Sequence, residues 1–134
     1  MKTEIQSRAD LRELVKAFYI KVQADPLIGP VFNHMLVSPE VWAHHEEKLT
    51  DFWDSILFGS QNYTGNPIQQ HVWVDYQVNY RVTSAHFERW LALWEESLDE
   101  RFFGFRTDRL KNSARNMGNT FHEKIMEVRQ KLGK

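Results

Sequence analysis

Three of the six histidines, His44, His45 and His71, fall between Trp42 and His71, in a chain that has no cysteine. Imidazole is therefore the main metal ligand on offer, and thiolate sites, iron–sulfur clusters and Cys-x-x-Cys-His haem attachment are excluded together. Read as a helix from about Pro39 to Leu57, the stretch puts Trp42, His45, Leu49, Phe52, Trp53 and Ile56 on one stripe at three- and four-residue spacing. His44 falls elsewhere, on a face shared with Lys48, Asp51 and Ser55. An imidazole on a wall of Leu and aromatic side chains needs a hydrogen-bond partner or a ligand to offset its burial. Gly59 and the run from Ser60 to Asn66 break the helix, Pro67 is placed to restart one, and His71 follows a turn later. A second histidine is thereby returned toward the first. A flat cofactor between the two is the reading this spacing supports.

Other chemistries fit less well. Di-iron bundle sites need Glu-x-x-His, but the residues three before the histidines are Val31, Val41, Trp42, Ile68, Thr83 and Asn119. Zinc catalysis wants His-Glu-x-x-His. In His44-His45-Glu46-Glu47 the neighbours point apart on a helix, and only a surface site from His44 and Glu47 stays open. There is no Gly-x-Ser-x-Gly turn and no glycine-rich loop after a strand. The remaining candidate is a haem held by one neutral imidazole, which needs a ligand on one side and polar donors on the other. His71 supplies the first, and His45, Tyr19 and Trp90 are the polar tips that could reach the second.

Helices must position these groups. The first is expected from about Ser7 to Ala24, capped by Ser7 or Asp10, with Leu11, Leu14, Val15, Phe18 and Val22 buried and Tyr19 on the edge of the stripe. Asp25-Pro26 ends it. The segment from Asp25 to Ser38 reads as a short helical turn and a corner, with Phe32 packing beside Tyr19. Val72 to Arg81 alternates in part like a strand, but one strand has nothing to pair with, so an extended or irregular connection is expected there. Helices follow from about Ser84 to Arg101, with Phe87, Trp90, Leu91, Trp94 and Leu98 in register, and from Thr107 to Lys131, where Gly118 beside Met117 admits a close neighbour.

Composition bounds the rest. At 134 residues the chain is expected to form one domain, residues 1–134, around one core. A formal charge of -1 without a basic block argues against nucleic acid. The opening MKTEIQSRAD has no apolar run after its lysine, and no stretch approaches a bilayer span, so a cytoplasmic protein without membrane contact is expected. Five Trp and nine Phe suit either a bulky core or a cavity shaped around a planar apolar ligand.

Phe18-Tyr19, Asp25-Pro26-Leu27-Ile28-Gly29-Pro30-Val31-Phe32-Asn33, Trp42-x-x-His45, Phe52-Trp53, Gly59, Tyr63-x-Gly65-Asn66-Pro67, His71 and Phe87-x-Arg89-Trp90-Leu91-x-Leu93-Trp94 occur in this order. Over nearly the whole chain the pattern resembles the group III, or P-type, truncated haemoglobins of the globin superfamily. The resemblance implies an all-α truncated-globin fold, a two-over-two helical sandwich around haem b (iron protoporphyrin IX). It makes His71 the proximal iron ligand, Tyr19 and Trp90 the distal hydrogen-bonding pair, and His45 the distal histidine that gates access. Phe32, Leu49, Phe52 and Trp53 would line the pocket. The interval from His71 to Trp90 is longer than the family pattern implies, with Tyr76 to Arg81 as the extra piece. Tyr76, Tyr80 and Arg81 then become candidates to approach the haem carboxylates.

Function follows from that pocket. Dioxygen or another diatomic ligand held by two donors leaves slowly, which favours nitric oxide oxidation or peroxide handling with an external reductase over transport. A haem-based sensor or interaction module is the first alternative. A haem-free helical adaptor, with His45 and His71 as satisfied core histidines, is the second.

Overall fold

The computed structural model describes all 134 residues. Six helices follow in order: α1 (Arg8–Ala24), α2 (Gly29–Met35), α3 (Pro39–Phe58), α4 (Pro67–Gln77), α5 (Ser84–Arg101) and α6 (Phe105–Lys131). An isolated bridge between Thr3 and Phe102 is the sole β pairing. Helix α1 packs on α3, and α5 on α6. The two pairs meet where α1 crosses α5, and α4 lies chiefly against α6. This is the expected sandwich of two helical layers.

Local chemistry sets the boundaries. Ser7 occupies the cap position of α1 in extended backbone, without a side-chain bond to the helix, while Asp10 accepts from the amide of Gln6. The hydroxyl of Ser38 accepts from the amide of Val41 at 3.2 Å, and the side chain of Asn66 accepts from that of Gln69 at 3.0 Å. Each cap stands directly before a proline at the first helical position. Gly59 ends α3 at φ 69°, the left-handed conformation that glycine adopts without strain.

The α1 stripe of Leu11, Leu14, Val15, Phe18 and Val22 is buried as expected. Trp53 of α3 stacks on Trp94 of α5 with ring centres 4.7 Å apart, which joins the layers. The Trp94 N–H donates to the carbonyl of Leu110 at 3.3 Å, so the ring is buried with its polar atom satisfied. At the α1–α2 corner Asp25 accepts from the amides of Leu27 and Ile28 and from Arg89 of α5. Gly29 follows. A β-carbon there would lie 2.9 Å from the carbonyl oxygen of Gln23, so the corner closes only around glycine. This close turn places Phe32 beside Tyr19 at 5.8 Å between ring centres.

The helix expected to restart at Pro67 is present, and the extended or irregular connection expected from Val72 to Arg81 is corrected in its first half: α4 continues through Gln77. Asp75 is its one buried residue, whereas Trp73 and Tyr76 are exposed. A helix with so little apolar periodicity leaves no stripe to read. The irregular connection begins at Val78 and carries two non-glycine residues in the left-handed region, Asn79 at φ 58° and Tyr80 at φ 61°. No helix is long and apolar enough to cross a membrane.

Candidate functional site

A cavity of about 400 Å³ opens between the helical layers, walled by residues of α1 through α6. Tyr19, Phe32, His45, Leu49, Phe52, Trp53, His71 and Trp90 all line it. The sequence therefore selected residues that the fold brings together. Most of the remaining wall is also apolar, including Val31, Leu36, Phe87 and Met117, which suits a hydrophobic ligand of moderate size.

His71 enters from α4. Its Nδ1 lies 2.6 Å from the carbonyl oxygen of Pro67, one turn earlier. A carbonyl can only accept, so Nδ1 carries the hydrogen and Nε2, across the ring, keeps its lone pair. Burial holds the His71 pKa below the ordinary histidine value and so favours the neutral ring, an effect that the hydrogen bond to the Pro67 carbonyl opposes only in part. The imidazole stacks on Phe121 of α6, with ring centres 4.2 Å apart and planes 22° from parallel. A neutral, oriented imidazole with a free Nε2 is what a metal ligand requires.

Opposite stands a polar group on α1 and α3. Nε2 of His45 and the hydroxyl of Tyr19 are 2.9 Å apart. Burial lowers the His45 pKa to about 4, and the nearness of His71, His44 and Lys48, which disfavours a further positive charge, lowers it as well. Burial, with the charge of Glu46, pushes the Tyr19 phenol well above its usual range. Both groups are therefore neutral near pH 7. Trp90 stacks on Trp94 at 6.2 Å and meets Phe18 edge-on at 5.7 Å. The N–H of Trp94 is engaged by Leu110, whereas that of Trp90 pairs with no group of the chain and is available to a ligand.

Sequence reasoning missed the polar rim. Lys48, Tyr63 and His86 line the same cavity. Nδ1 of His86 accepts from the amide of Thr83 at 3.1 Å and faces its hydroxyl at 2.8 Å. His86 therefore holds its hydrogen on Nε2, the opposite tautomer to His71, and offers a donor. The signal was Thr83 three residues before His86, a capping pair at the start of α5. Tyr76, Tyr80 and Arg81 are not part of the wall. Tyr76 and Tyr80 pack on each other at 5.9 Å, and Lys134 lies over Tyr80. Phe121 of α6 is the platform under His71. The surface pairing of His44 with Glu47 is disfavoured, because Glu47 is engaged by Arg8 at 2.6 Å and by Arg12 at 3.5 Å.

No three histidine or acidic side chains converge on a point that could hold a metal ion. Iron at His71 would have to bring its other ligands with it, as a porphyrin does. Flat apolar walls, one free imidazole nitrogen and donors at the rim for carboxylates fit that group.

Known proteins resemble this chain in sequence and in fold. A family model described as bacterial-like globin matches residues 3–127. A group 3 truncated haemoglobin of Campylobacter jejuni is 35% identical over 100 residues, which are 74% of this chain and 75% of that protein. The crystal structure of a group III truncated haemoglobin from Campylobacter jejuni superimposes with a TM-score of 0.83 at 29% identity, covering 93% of this chain and 95% of that one.

Proposed function

The chain belongs to the bacterial-like globins and, within them, to the group III truncated haemoglobins, and from that premise we propose that it holds haem b through Nε2 of His71. Membership implies a haem that binds small ligands. The finer reading rests on one observation above all: the Nδ1 hydrogen of His71 is held by Pro67, which leaves Nε2 bare in the cavity that Tyr19, His45 and Trp90 share. Bound there, the haem supplies an iron centre for dioxygen, nitric oxide or peroxide.

The chain's own side chains then do three things. Phe32, Leu49, Phe52 and Trp53 exclude water and strengthen the polar contacts that remain. Lys48 and the Nε2–H of His86 hold the haem carboxylates at the rim, the part for which Tyr76, Tyr80 and Arg81 were candidates. Tyr19 and Trp90 donate to a ligand that gains negative charge on binding, and His45, paired with Tyr19, gates its access. Charge-assisted bonds of this kind contribute about 1.5 to 3 kcal/mol each. Two of them make a slow release, unsuited to a carrier.

Ligand chemistry is therefore the proposed role, with conversion of nitric oxide and dioxygen to nitrate as the first candidate and peroxide handling as the second. Nitrate formation leaves the centre oxidised by one electron, so an external reductase belongs to the proposal. Mixing the ferrous, dioxygen-loaded protein with nitric oxide tests it. Stoichiometric nitrate is expected, and release of unreacted dioxygen as the main outcome would remove the activity.

A further inference from the structure

Helix α4 presents His71 and Asp75 four residues apart, and α6 presents Phe121, Ile125 and Arg129 at the same spacing, so each set shares one face. The two faces meet twice. His71 stacks on Phe121, and Arg129 grips Asp75 with a fork: Nε to Oδ2 at 2.9 Å and Nη2 to Oδ1 at 2.5 Å. Nη2 also donates to the carbonyl of Val82, while the Val82 amide donates to Oδ1 of Asp75 at 3.1 Å. One ion pair thus ties α4, α6 and the segment leading into α5 together. It is dry, with side-chain exposures of 3% for Asp75 and 13% for Arg129, where a bidentate charge-assisted pair is most rigid and removal of one partner most damaging.

The connection enclosed by this pair runs from Val78 to Thr83, between α4 and α5. It turns through Asn79 and Tyr80, both left-handed, with the Tyr80 amide bonded to the carbonyl of Asp75 at 2.8 Å. Such backbone persists only where its surroundings over-determine it. Because α4 packs chiefly on α6, the Phe121 stack and the Asp75 fork are what fix its rotation about its own axis.

We propose that Asp75 and Arg129 are positioning residues for His71: they lock the roll of α4 and so set the orientation in which the imidazole meets iron. The inference rests on His71 being the iron ligand, and its test separates the two. Full-length parent, Asp75→Asn and Arg129→Lys are loaded with haem, and the iron–imidazole stretching band of the ferrous, ligand-free form is read by resonance Raman. Amide exchange of α4 is read without haem.

Both variants are expected to take up haem but to show a shifted or broadened band, with α4 amides losing about tenfold in protection while those of α1 keep theirs. Arg129→Lys keeps the charge without the fork, so it should move the band less than Asp75→Asn. It also carries the comparison if the latter does not fold. Bands superimposable on the parent's, even in less stable variants, would show that the pair only closes the fold and would overturn the proposal. A parent that forms no Soret band removes the ligand reading itself, and this inference with it.

Discussion

The phenol of Tyr19 on α1 and Nε2 of His45 on α3 are hydrogen-bonded, 2.9 Å apart. The direction of that hydrogen bond decides what a ligand meets. If Nε2–H donates, the phenol O–H is free for the ligand. If the phenol donates to Nε2, its hydrogen is engaged.

Replacing the phenol by Tyr19→Phe should therefore raise the dioxygen dissociation rate between about tenfold and a hundredfold, the equivalent of 1.5 to 3 kcal/mol. Removing the competing acceptor by His45→Leu should slow dissociation, and that effect should vanish in the Tyr19→Phe background. A His45→Leu effect of the same size in both backgrounds, read by stopped flow, would show that the two groups act separately.

Trp90 has the N–H that no other group of the chain takes up. Trp90→Phe keeps an aromatic ring beside Phe18 and Trp94 but removes that donor, and a rise of about tenfold or more in the dioxygen off-rate is expected. Equal rates in parent and variant would remove Trp90 from the distal role.

His45 also gives the haem-free protein an acid sensitivity. Its pKa is held near 4 in the fold and is near 6.5 when unfolded. Between those values the unfolded chain binds the proton and the fold resists it, so stability falls as pH drops from 6.5 toward 4. The loss from pH 7 to pH 5 is about 2 kcal/mol at most, because part of the penalty is relieved by water in the cavity. Urea unfolding at both pH values should show a smaller loss for His45→Gln, and an equal loss would assign the acid sensitivity elsewhere.

Trp94 is fully buried, stacked on two indoles and bonded to Leu110. Trp94→Ala should cost about 3 to 5 kcal/mol, a large share of the total stability of a domain this size. A midpoint of urea unfolding within error of the parent's would contradict the layered core described above.

Periodicity revealed most of the fold because α1, α5 and α6 each bury an apolar stripe and α3 turns one toward the cavity. It did not carry α4 beyond the start that Pro67 marks, because Ile68, Trp73 and Tyr76 are exposed and the groups the helix buries are polar, Asp75 and the ring of His71. A charged residue in the middle of a short helix signals solvent by composition, and only the approach of Arg129, distant in sequence, makes it an anchor. The site was legible where residue type limits the chemistry, at His71, His45, Tyr19 and Trp90. It was not legible at the rim, because Lys48 and His86 are ordinary surface residues until α3 and α5 converge, and the His86 tautomer depends on a cap that serves the helix as well.

Whether His71 holds haem iron is read from the absorption spectrum on adding haem to the purified protein. A Soret band at one haem per chain with the signature of histidine ligation is expected. That signature should be lost in His71→Gly and restored by free imidazole. A parent without a Soret band, or a His71→Gly spectrum identical to the parent's, would contradict ligation by His71.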